Sequence, residues 1–413
     1  MELTASHRVC TEDRARLHIL SIREDGTALC HRSIGTYPHH RPALFTVNIA
    51  SGAQVVLSDD RNSVFCSPYV TPSPDGRTLA ALAPNDEDVR IAPAPYFYPV
   101  TVCGAGVALN GCRFSPDGLL IASIQRNRVV RLWHTKGGAM IKTIPNASSF
   151  KSATRFSPNG RTLATGGTPS RPDVRLWAAP DWHQPTATLR GHTGETSGLR
   201  FSRDGTILAT TCNRMDDRSV RMWSVRAGTL LRTLLFPPDN MSTCRYIAFS
   251  PDGLRLLASP RSIRSRLSRS STHVWCINDP SPAPAQTICL DESRGGACFA
   301  PNGSIQTLTT RNGRAIILAT FPTGEEEETV IGGVSNFCDL VSGAFSLDGT
   351  QAVACTTNND SIIRVFDSSR KRAQARTRHI EEELVARAWH PARVAAWCWD
   401  VAEQREFDAL QKI

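Results

Sequence analysis

One hexapeptide recurs along the chain and limits it more than any other feature. It reads SIREDG, TPSPDG, RFSPDG, RFSPNG, RFSRDG, AFSPDG, CFAPNG and AFSLDG, with closing glycines at 26, 76, 118, 160, 205, 253, 303 and 349. The spacing runs from 42 to 50 residues, which is the period of a repeated supersecondary unit. Four residues before most of these glycines stands a large apolar side chain (Phe114, Phe156, Phe201, Phe249, Phe299, Phe345) that can end a buried strand. The Ser-Pro-Asp-Gly that follows suits a tight turn. Proline presets φ at the second position, Asp or Asn suits the third, and glycine relieves the fourth.

A short apolar strand follows each turn, as in Thr78-Leu79-Ala80-Ala81, Leu163-Ala164-Thr165 and Leu208-Ala209-Thr210. After a loop comes Val-Arg-Leu-Trp or a relative of it: Val130–Trp133, Val174–Trp177, Val220–Trp223, Val274-Trp275, and Ile363–Phe366 with Asp367. Short strands, turn residues at fixed offsets and the lack of a helical period predict antiparallel β-sheet throughout. One four-stranded unit of this length cannot cover both of its faces, so neighbouring units must stack around an axis.

These residues resemble the WD40 repeat family, and the resemblance runs from about Leu17 to Leu410. The best unit also matches the family's structural tetrad. It has Gly191-His192 before the first strand, Thr210 or Thr211 in the second (Thr210 is preferred), then Asp217 and Trp223. The resemblance implies that His192, Thr210, Asp217 and Trp223 form a buried hydrogen-bonded chain, which persists only when every member is satisfied. Most other units lack the Gly-His pair, and Val47, Ala92 and Ala319 stand where tryptophan is expected.

The fold class expected is an all-β WD40-type propeller of four-stranded antiparallel sheets. Eight blades fit the spacing best, and seven, the commonest family count, is the alternative. The domain reading is one propeller over 17–413 and an N-terminal segment, 1–16, that can donate a closing strand. A ninth unit begins at Trp389-His390-Pro391 and ends at Trp399-Asp400-Val401, too short to hold a second strand. A strand from residues 1–12 would complete that last sheet, since a ring must hide its edges.

Composition narrows the function classes. The chain has 413 residues, 13 cysteines without a CxxC pair, and a formal charge of +9. An odd cysteine count of this kind points to a reducing compartment, with Cys30, Cys112, Cys212, Cys244, Cys298 and Cys355 as small core residues. No apolar run approaches the ~18 residues of a membrane span. Glu2, Glu12 and Asp13 make the N-terminus a poor match to a signal or transit peptide. An intracellular site is expected, the cytoplasm first, with nucleus and organelles open.

Catalytic motifs are missing: there is no GxSxG, HExxH, Walker loop or GxGxxG after a strand. His7, His31, His39 and His40 near Cys30 fit no zinc spacing. No enzyme activity, cofactor or metal is therefore expected. The leading reading is a non-enzymatic scaffold that presents loops to one or more proteins as a subunit or adaptor of a larger complex.

Residues 260–272, PRSIRSRLSRSST, read as an insertion between the second and third strands of the sixth unit. Its Arg261, Arg264, Arg266 and Arg269 are the partner-binding candidates, suited to acidic or phosphorylated protein segments, and RNA is the alternative partner. Aromatic residues for base stacking are not interleaved there. A lesser alternative is a ubiquitin-ligase substrate receptor, since Trp223-Ser224-Val225-Arg226 keeps the Trp and Arg of a Trp-Asp-x-Arg ending. Arg370-Lys371-Arg372, Arg376, Arg378 and His379 read as an exposed edge. Glu325–Glu328 and the Pro-rich stretches 92–99 and 280–284 read as turns or loops, and Trp182-His183 as a surface aromatic or one packed on its own loop.

Overall fold

A computed structural model describes residues 109–290 almost continuously, apart from 149, 151–152, 215–216, 238–241 and 263–269; elsewhere it describes the strands and a few turn residues. Among the described residues the regular structure is β-strand, arranged in eight four-stranded antiparallel sheets and one two-stranded sheet.

Strand β1 (Glu2–Arg8) precedes the first sheet, which holds β2 (Ala15–Ile22), β3 (Thr27–Ile34), β4 (Arg41–Asn48) and β5 (Gln54–Ser58). The second holds β6 (Val70–Pro72), β7 (Thr78–Leu82), β8 (Asp88–Pro93) and β9 (Thr101–Gly104). The third holds β10 (Leu109–Phe114), β11 (Leu120–Gln125), β12 (Val130–His134) and β13 (Met140–Ile144). The fourth holds β14 (Thr154–Phe156), β15 (Thr162–Thr165), β16 (Val174–Ala178) and β17 (Pro185–Leu189). In the fifth are β18 (Thr196–Phe201), β19 (Ile207–Cys212), β20 (Ser219–Ser224) and β21 (Leu230–Leu235). In the sixth are β22 (Ser242–Phe249), β23 (Arg255–Ser262), β24 (Ser270–Cys276) and β25 (Gln286–Leu290). The seventh contains β26 (Ala297–Phe299), β27 (Ile305–Arg311), β28 (Arg314–Thr320) and β29 (Glu326–Gly333). The eighth joins β30 (Leu340–Phe345), β31 (Gln351–Thr356) and β32 (Ile362–Asp367) to β1, and β33 (Trp397–Cys398) pairs with β34 (Arg405–Glu406).

The first strand of each sheet lies innermost. β2 packs on β6, β6 on β10, β10 on β14, β14 on β18, β18 on β22 and β22 on β26, while β30 packs back on β2. The N-terminal strand corrects one expectation. β1 runs antiparallel along β32, from Glu2 opposite Asp367 to Arg8 opposite Ile362, and so completes the eighth sheet and not the ninth unit. The eighth unit has only three strands of its own, and a polar N-terminal strand covers its edge. Of the ninth unit, only β33 and β34 fall among the described residues.

The hexapeptide turns have the geometry their residues demand. Gly118, Gly160, Gly205 and Gly253 have φ near +70° (71°, 69°, 71° and 71°), which suits glycine. Each of these glycines donates its N–H to the serine carbonyl three residues before it at 2.9 Å. In the third sheet Asp117 accepts from Leu119 N (2.9 Å) and from Ser115 Oγ (2.5 Å), and Ser115 Oγ accepts from Leu120 N (2.9 Å). The turn thus fixes the register between first and second strands.

Strand alternation gives every sheet two different faces. In the third sheet one face presents Ala122, Ile124, Val130 and Leu132 to Phe156, Leu163 and Trp177 of the fourth. The fourth repeats this with Ala164, Val174 and Leu176 against Leu199, Leu208 and Trp223 of the fifth. The fifth offers Ala209, Val220 and Met222 to Ile247, Leu256 and Trp275 of the sixth. The core is therefore a series of seams between sheets. Arg113, Arg155 and Arg200, each just before the strand-ending phenylalanine, are buried along three successive inner strands. Arg200 Nε donates to Ile247 O of β22 at 3.1 Å, tying one inner strand to the next.

Several readings of loops are corrected. β29 makes Glu326, Glu327 and Glu328 part of an outer strand opposite β28, and only Glu325 precedes it. Pro93 ends β8, so the Pro-rich stretch beginning at 92 starts inside a strand. Pro280–Pro284 is a loop between β24 and β25, as expected, and it is folded back on the core, because Pro282 O accepts from Trp275 Nε1 (3.1 Å) and from Leu235 N of the preceding sheet (2.9 Å). Trp182 is buried, edge-on to Phe156 with ring centroids 6.2 Å apart, while His183 is exposed.

Candidate functional site: a buried polar chain beneath an arginine-bearing face

The fifth sheet holds the most developed polar cluster among the described residues. Gly191-His192 lies in the link between β17 and β18, Thr210 in β19, Asp217 just before β20, and Trp223 within β20. Trp223 Nε1 donates to Thr210 Oγ1 at 2.8 Å. Thr210 Oγ1 lies 2.7 Å from His192 Nε2, and His192 Nδ1 lies 2.9 Å from Asp217 Oδ2. The indole N–H donates to the threonine hydroxyl, and either neutral tautomer of His192 finds partners: Nδ1–H donates to the carboxylate while Nε2 accepts from the hydroxyl, or Nε2–H donates to Thr210 while Nδ1 accepts from Arg221 Nη1 at 2.5 Å.

Asp217 is the hub. Its Oδ2 also accepts from Arg221 Nη1 (2.7 Å) and Thr193 N (3.1 Å), and Oδ1 accepts from Ser219 Oγ (2.5 Å). Burial alone would raise this carboxyl, but the hydrogen bonds from His192, Ser219 and Arg221 outweigh it and hold its pKa far below the ordinary carboxylate range. Burial lowers the His192 pKa, with Asp217 opposing the shift, so the imidazole is kept neutral. His273 of β24 behaves in the same direction, lowered by burial to about 4.

Sequence reasoning placed His192, Thr210, Asp217 and Trp223, but not Arg221, Ser219 or the adjoining Glu195. Glu195 is buried and accepts from Ser148 Oγ at 3.1 Å, across the seam between two sheets. Elsewhere among the described residues only the tryptophan end of the chain recurs: Trp133 Nε1 donates to Ser123 Oγ and Trp177 Nε1 to Thr165 Oγ1, both at 2.9 Å. Val47 and Ala92 are buried in the tryptophan positions of their sheets.

Ligand atoms of His192, Cys212 and Asp217 lie within 4.8 Å of one another, a spacing a metal could span. The donor chemistry is against it. Both imidazole nitrogens and both Asp217 oxygens already hold hydrogen-bond partners, and burial pushes the Cys212 thiol up to about 12, away from the thiolate a metal needs. The cluster stiffens a sheet. Of the histidines near Cys30, the side chains of His7, His31, His39 and His40 lie outside the described residues; Cys30 itself is buried.

The four partner-binding candidates are only partly in view. Arg261 lies in β23, its backbone paired with Thr243 of β22, whereas Arg264, Arg266 and Arg269 fall in 263–269, outside the described residues. The insertion is therefore shorter than its composition suggests. β23 runs to Ser262 and β24 begins at Ser270, with Thr272 buried and within hydrogen-bonding distance of Ser259 (3.0 Å). The run from Arg370 to His379 also lies outside the described residues.

The two neutral buried histidines give the fold an acid sensitivity. Both pKa values are lowered, so the unfolded chain binds protons first and the associated stability is lost as pH falls below their ordinary value of 6.5. Urea melts should show the His273 contribution to unfolding free energy falling between about pH 6.5 and 4, by up to ~1.4 kcal/mol per pH unit, with His192 acting in the same direction. His273→Gln should flatten that slope. An identical slope in the variant would show that His273 does not titrate as its burial requires.

Comparison with known proteins agrees with this architecture. Residues 183–224, the unit that carries the complete polar chain, match the family described as WD domain, G-beta repeat. The chain is 28% identical over 180 residues to the target of rapamycin complex subunit wat1 of Schizosaccharomyces pombe, covering 42% of this chain and 54% of that protein. It is 26% identical over 212 residues to the nuclear distribution protein PAC1 of Arthroderma otae, covering 50% and 44% respectively. Subunit I of eukaryotic translation initiation factor 3 from Pyricularia oryzae is 24% identical over 199 residues, covering 48% and 43%. The matched region spans about half the length of these relatives. Among the described residues no helix is long and apolar enough to cross a membrane. The repeated turn, the four-stranded sheets and the tryptophan-centred polar chain accord with these matches: the chain carries a WD40 repeat at 183–224 and is similar to WD40-repeat proteins over about half its length.

Proposed function

We propose that the protein is a non-enzymatic scaffold, a subunit or adaptor of a larger protein assembly. In this reading a single propeller domain over 17–413, of eight blades, is closed by a strand from 1–16. The observation that carries the proposal is the company of its relatives: two of them are named as subunits, one of a target of rapamycin complex and one of a translation initiation factor. The site chemistry supports it. His192 and Asp217, the best acid–base pair in the described residues, are buried and committed to a hydrogen-bonded chain. Purification from the native source at near-physiological salt, followed by sizing, should recover the chain with stoichiometric protein partners. Recovery as a lone chain in repeated preparations would overturn the proposal.

The basic residues Arg261, Arg264, Arg266 and Arg269 form one part of the partner surface in this proposal, taking acidic or phosphorylated protein segments. Their guanidinium groups fit two-pronged recognition of carboxylate and phosphate. Changing Arg264, Arg266 and Arg269 to alanine falls in the connection between β23 and β24 and should cost under ~0.5 kcal/mol of stability. Arg261→Ala is made separately, because that residue belongs to β23. Pulldowns with the triple variant should lose a partner that wild type retains. Equal recovery from both would place the binding surface elsewhere.

A further inference from the structure

The antiparallel order sets which connections share an edge of the ring. Links from fourth to first strands and turns from second to third strands lie on one face; the hexapeptide turns and the turns from third to fourth strands lie on the other. Contacts between neighbouring sheets agree with this division. On the first face Ala147 N donates to Arg128 O (2.9 Å), Arg175 Nη2 to Asn146 O (2.6 Å) and Gly167 N to Thr196 Oγ1 (3.0 Å). On the second face a Cβ on Gly160 would meet Pro116, and one on Gly205 would meet Pro158.

The two faces differ in exposed charge across the third, fourth and fifth sheets. The connections of the first face expose Arg126, Arg128, Arg171, Arg190 and Arg214. None of the described carboxylates on that face is fully exposed. Asp217 is held in the polar chain, Glu195 is buried, and Asp173 is half-buried and within 3.6 Å of Arg190. The second face exposes Lys136, Arg161, Arg203 and Arg226 together with Asp117, Asp181 and Asp204, so its charges nearly balance. Among the described residues, fully exposed acidic side chains are thus confined to the second face, and exposed arginines predominate on the first.

From this asymmetry we infer that the arc Arg126–Arg171–Arg190–Arg214 is a docking surface for an acidic polypeptide segment. The inference deepens the scaffold reading and rests on it, because it names the chemistry of one partner. Arg126, Arg171 and Arg214 lie in equivalent connections of three successive sheets, with Arg190 in the link between the fourth and fifth, so an extended chain crossing them meets a charge at each sheet. Complementary charge of this kind raises encounter rate and selects partners more than it adds affinity. A nucleic acid fits less well, since the described part of this face exposes no aromatic side chain on which bases could stack: Phe150 is half-buried and Phe236 is buried.

The test uses the full chain and a fluorescent oligo-glutamate of about 20 residues, close to the number contributed by one side of a standard interface. Binding is read by anisotropy at low salt and at about 0.1 M, where the screening length is about 10 Å. R126E/R171E/R190E is compared with K136E/R161E/R226E on the opposite face; both change the net charge equally. The first set should weaken binding about tenfold or more, and the second by less than about twofold, as expected when charge acts through position. R126A/R171A/R190A serves as the arc variant should the charge reversal melt below wild type, with a smaller loss in the same direction. Equal losses from both faces, or no wild-type binding at low salt, would overturn the inference. So would oligo-uridylate binding more tightly than oligo-glutamate and being lost with the same arc. The scaffold reading is judged separately by native co-purification: partners recovered equally by wild type and arc variant would remove the arc and leave the scaffold.

Discussion

Trp223→Ala is expected to destabilise the protein by about 3–5 kcal/mol, the range for removing a large buried aromatic. The indole is buried against Leu176, Leu189, Leu199 and Leu208, so its loss opens the seam between the fourth and fifth sheets. It also removes the donor to Thr210 at one end of the polar chain. Asp217→Ala removes less volume but strands Arg221, His192 and Ser219, and should cost about 1–3 kcal/mol. The two effects should not add when combined, because both act on one network. Trp177→Ala makes a useful comparison. Its indole is equally buried and donates to Thr165, so a similar cost is expected even without a histidine–aspartate extension. Denaturant melts decide the matter, and changes near zero for both Trp223→Ala and Asp217→Ala would show that this unit does not depend on its polar chain.

What could be read from the sequence follows from how local each signal is. The serine-proline-aspartate-glycine turn is set by four adjacent residues, and its strands follow from alternation on either side. The tryptophan-centred chain was legible because its members sit at regular offsets within one unit. Arg221 was not, since Arg131 and Arg175 hold the same place in their units and the place does not fix the partner. Arg175 turns to Pro145 O and Asn146 O, both at 2.6 Å, whereas Arg221 turns to Asp217. Which way a long cation swings depends on the link in the adjoining sheet. The buried Arg113, Arg155 and Arg200 escaped for a similar reason: Arg200 donates to Ile247 O of the next sheet, and no local signal marks that seam. Polar outer strands were the other blind spot. Glu326–Glu328 and Ser270–Thr272 carry almost no apolar side chains, yet a ladder needs only backbone donors and acceptors once its neighbour is in place.

Deleting residues 1–8 is expected to lower the melting temperature and to unprotect the eighth sheet. β1 contributes six register pairs along β32, with one bulge between Leu3 and Ala5. At about 0.5–1.5 kcal/mol net for each ladder hydrogen bond, a loss of about 3 kcal/mol or more follows. The consequence reaches beyond one edge. β30 packs on β2, so the sheet that β1 completes is also the one that meets the start of the ring. Without β1, the backbone of Ile362–Asp367 becomes an open edge, and such edges exchange amide protons quickly and recruit other strands. Hydrogen exchange in the truncated protein should therefore show lost protection over 362–367, together with a concentration-dependent tendency to associate. A synthetic peptide of residues 1–12 should restore both when added in excess. The position of the effect is the decisive readout. The sequence alone pointed to the ninth unit, 389–401, as the segment in need of a strand, and loss of protection there with 362–367 unchanged would reassign β1 to the ninth unit. Unchanged protection in both segments would show that the ring closes without its N-terminus.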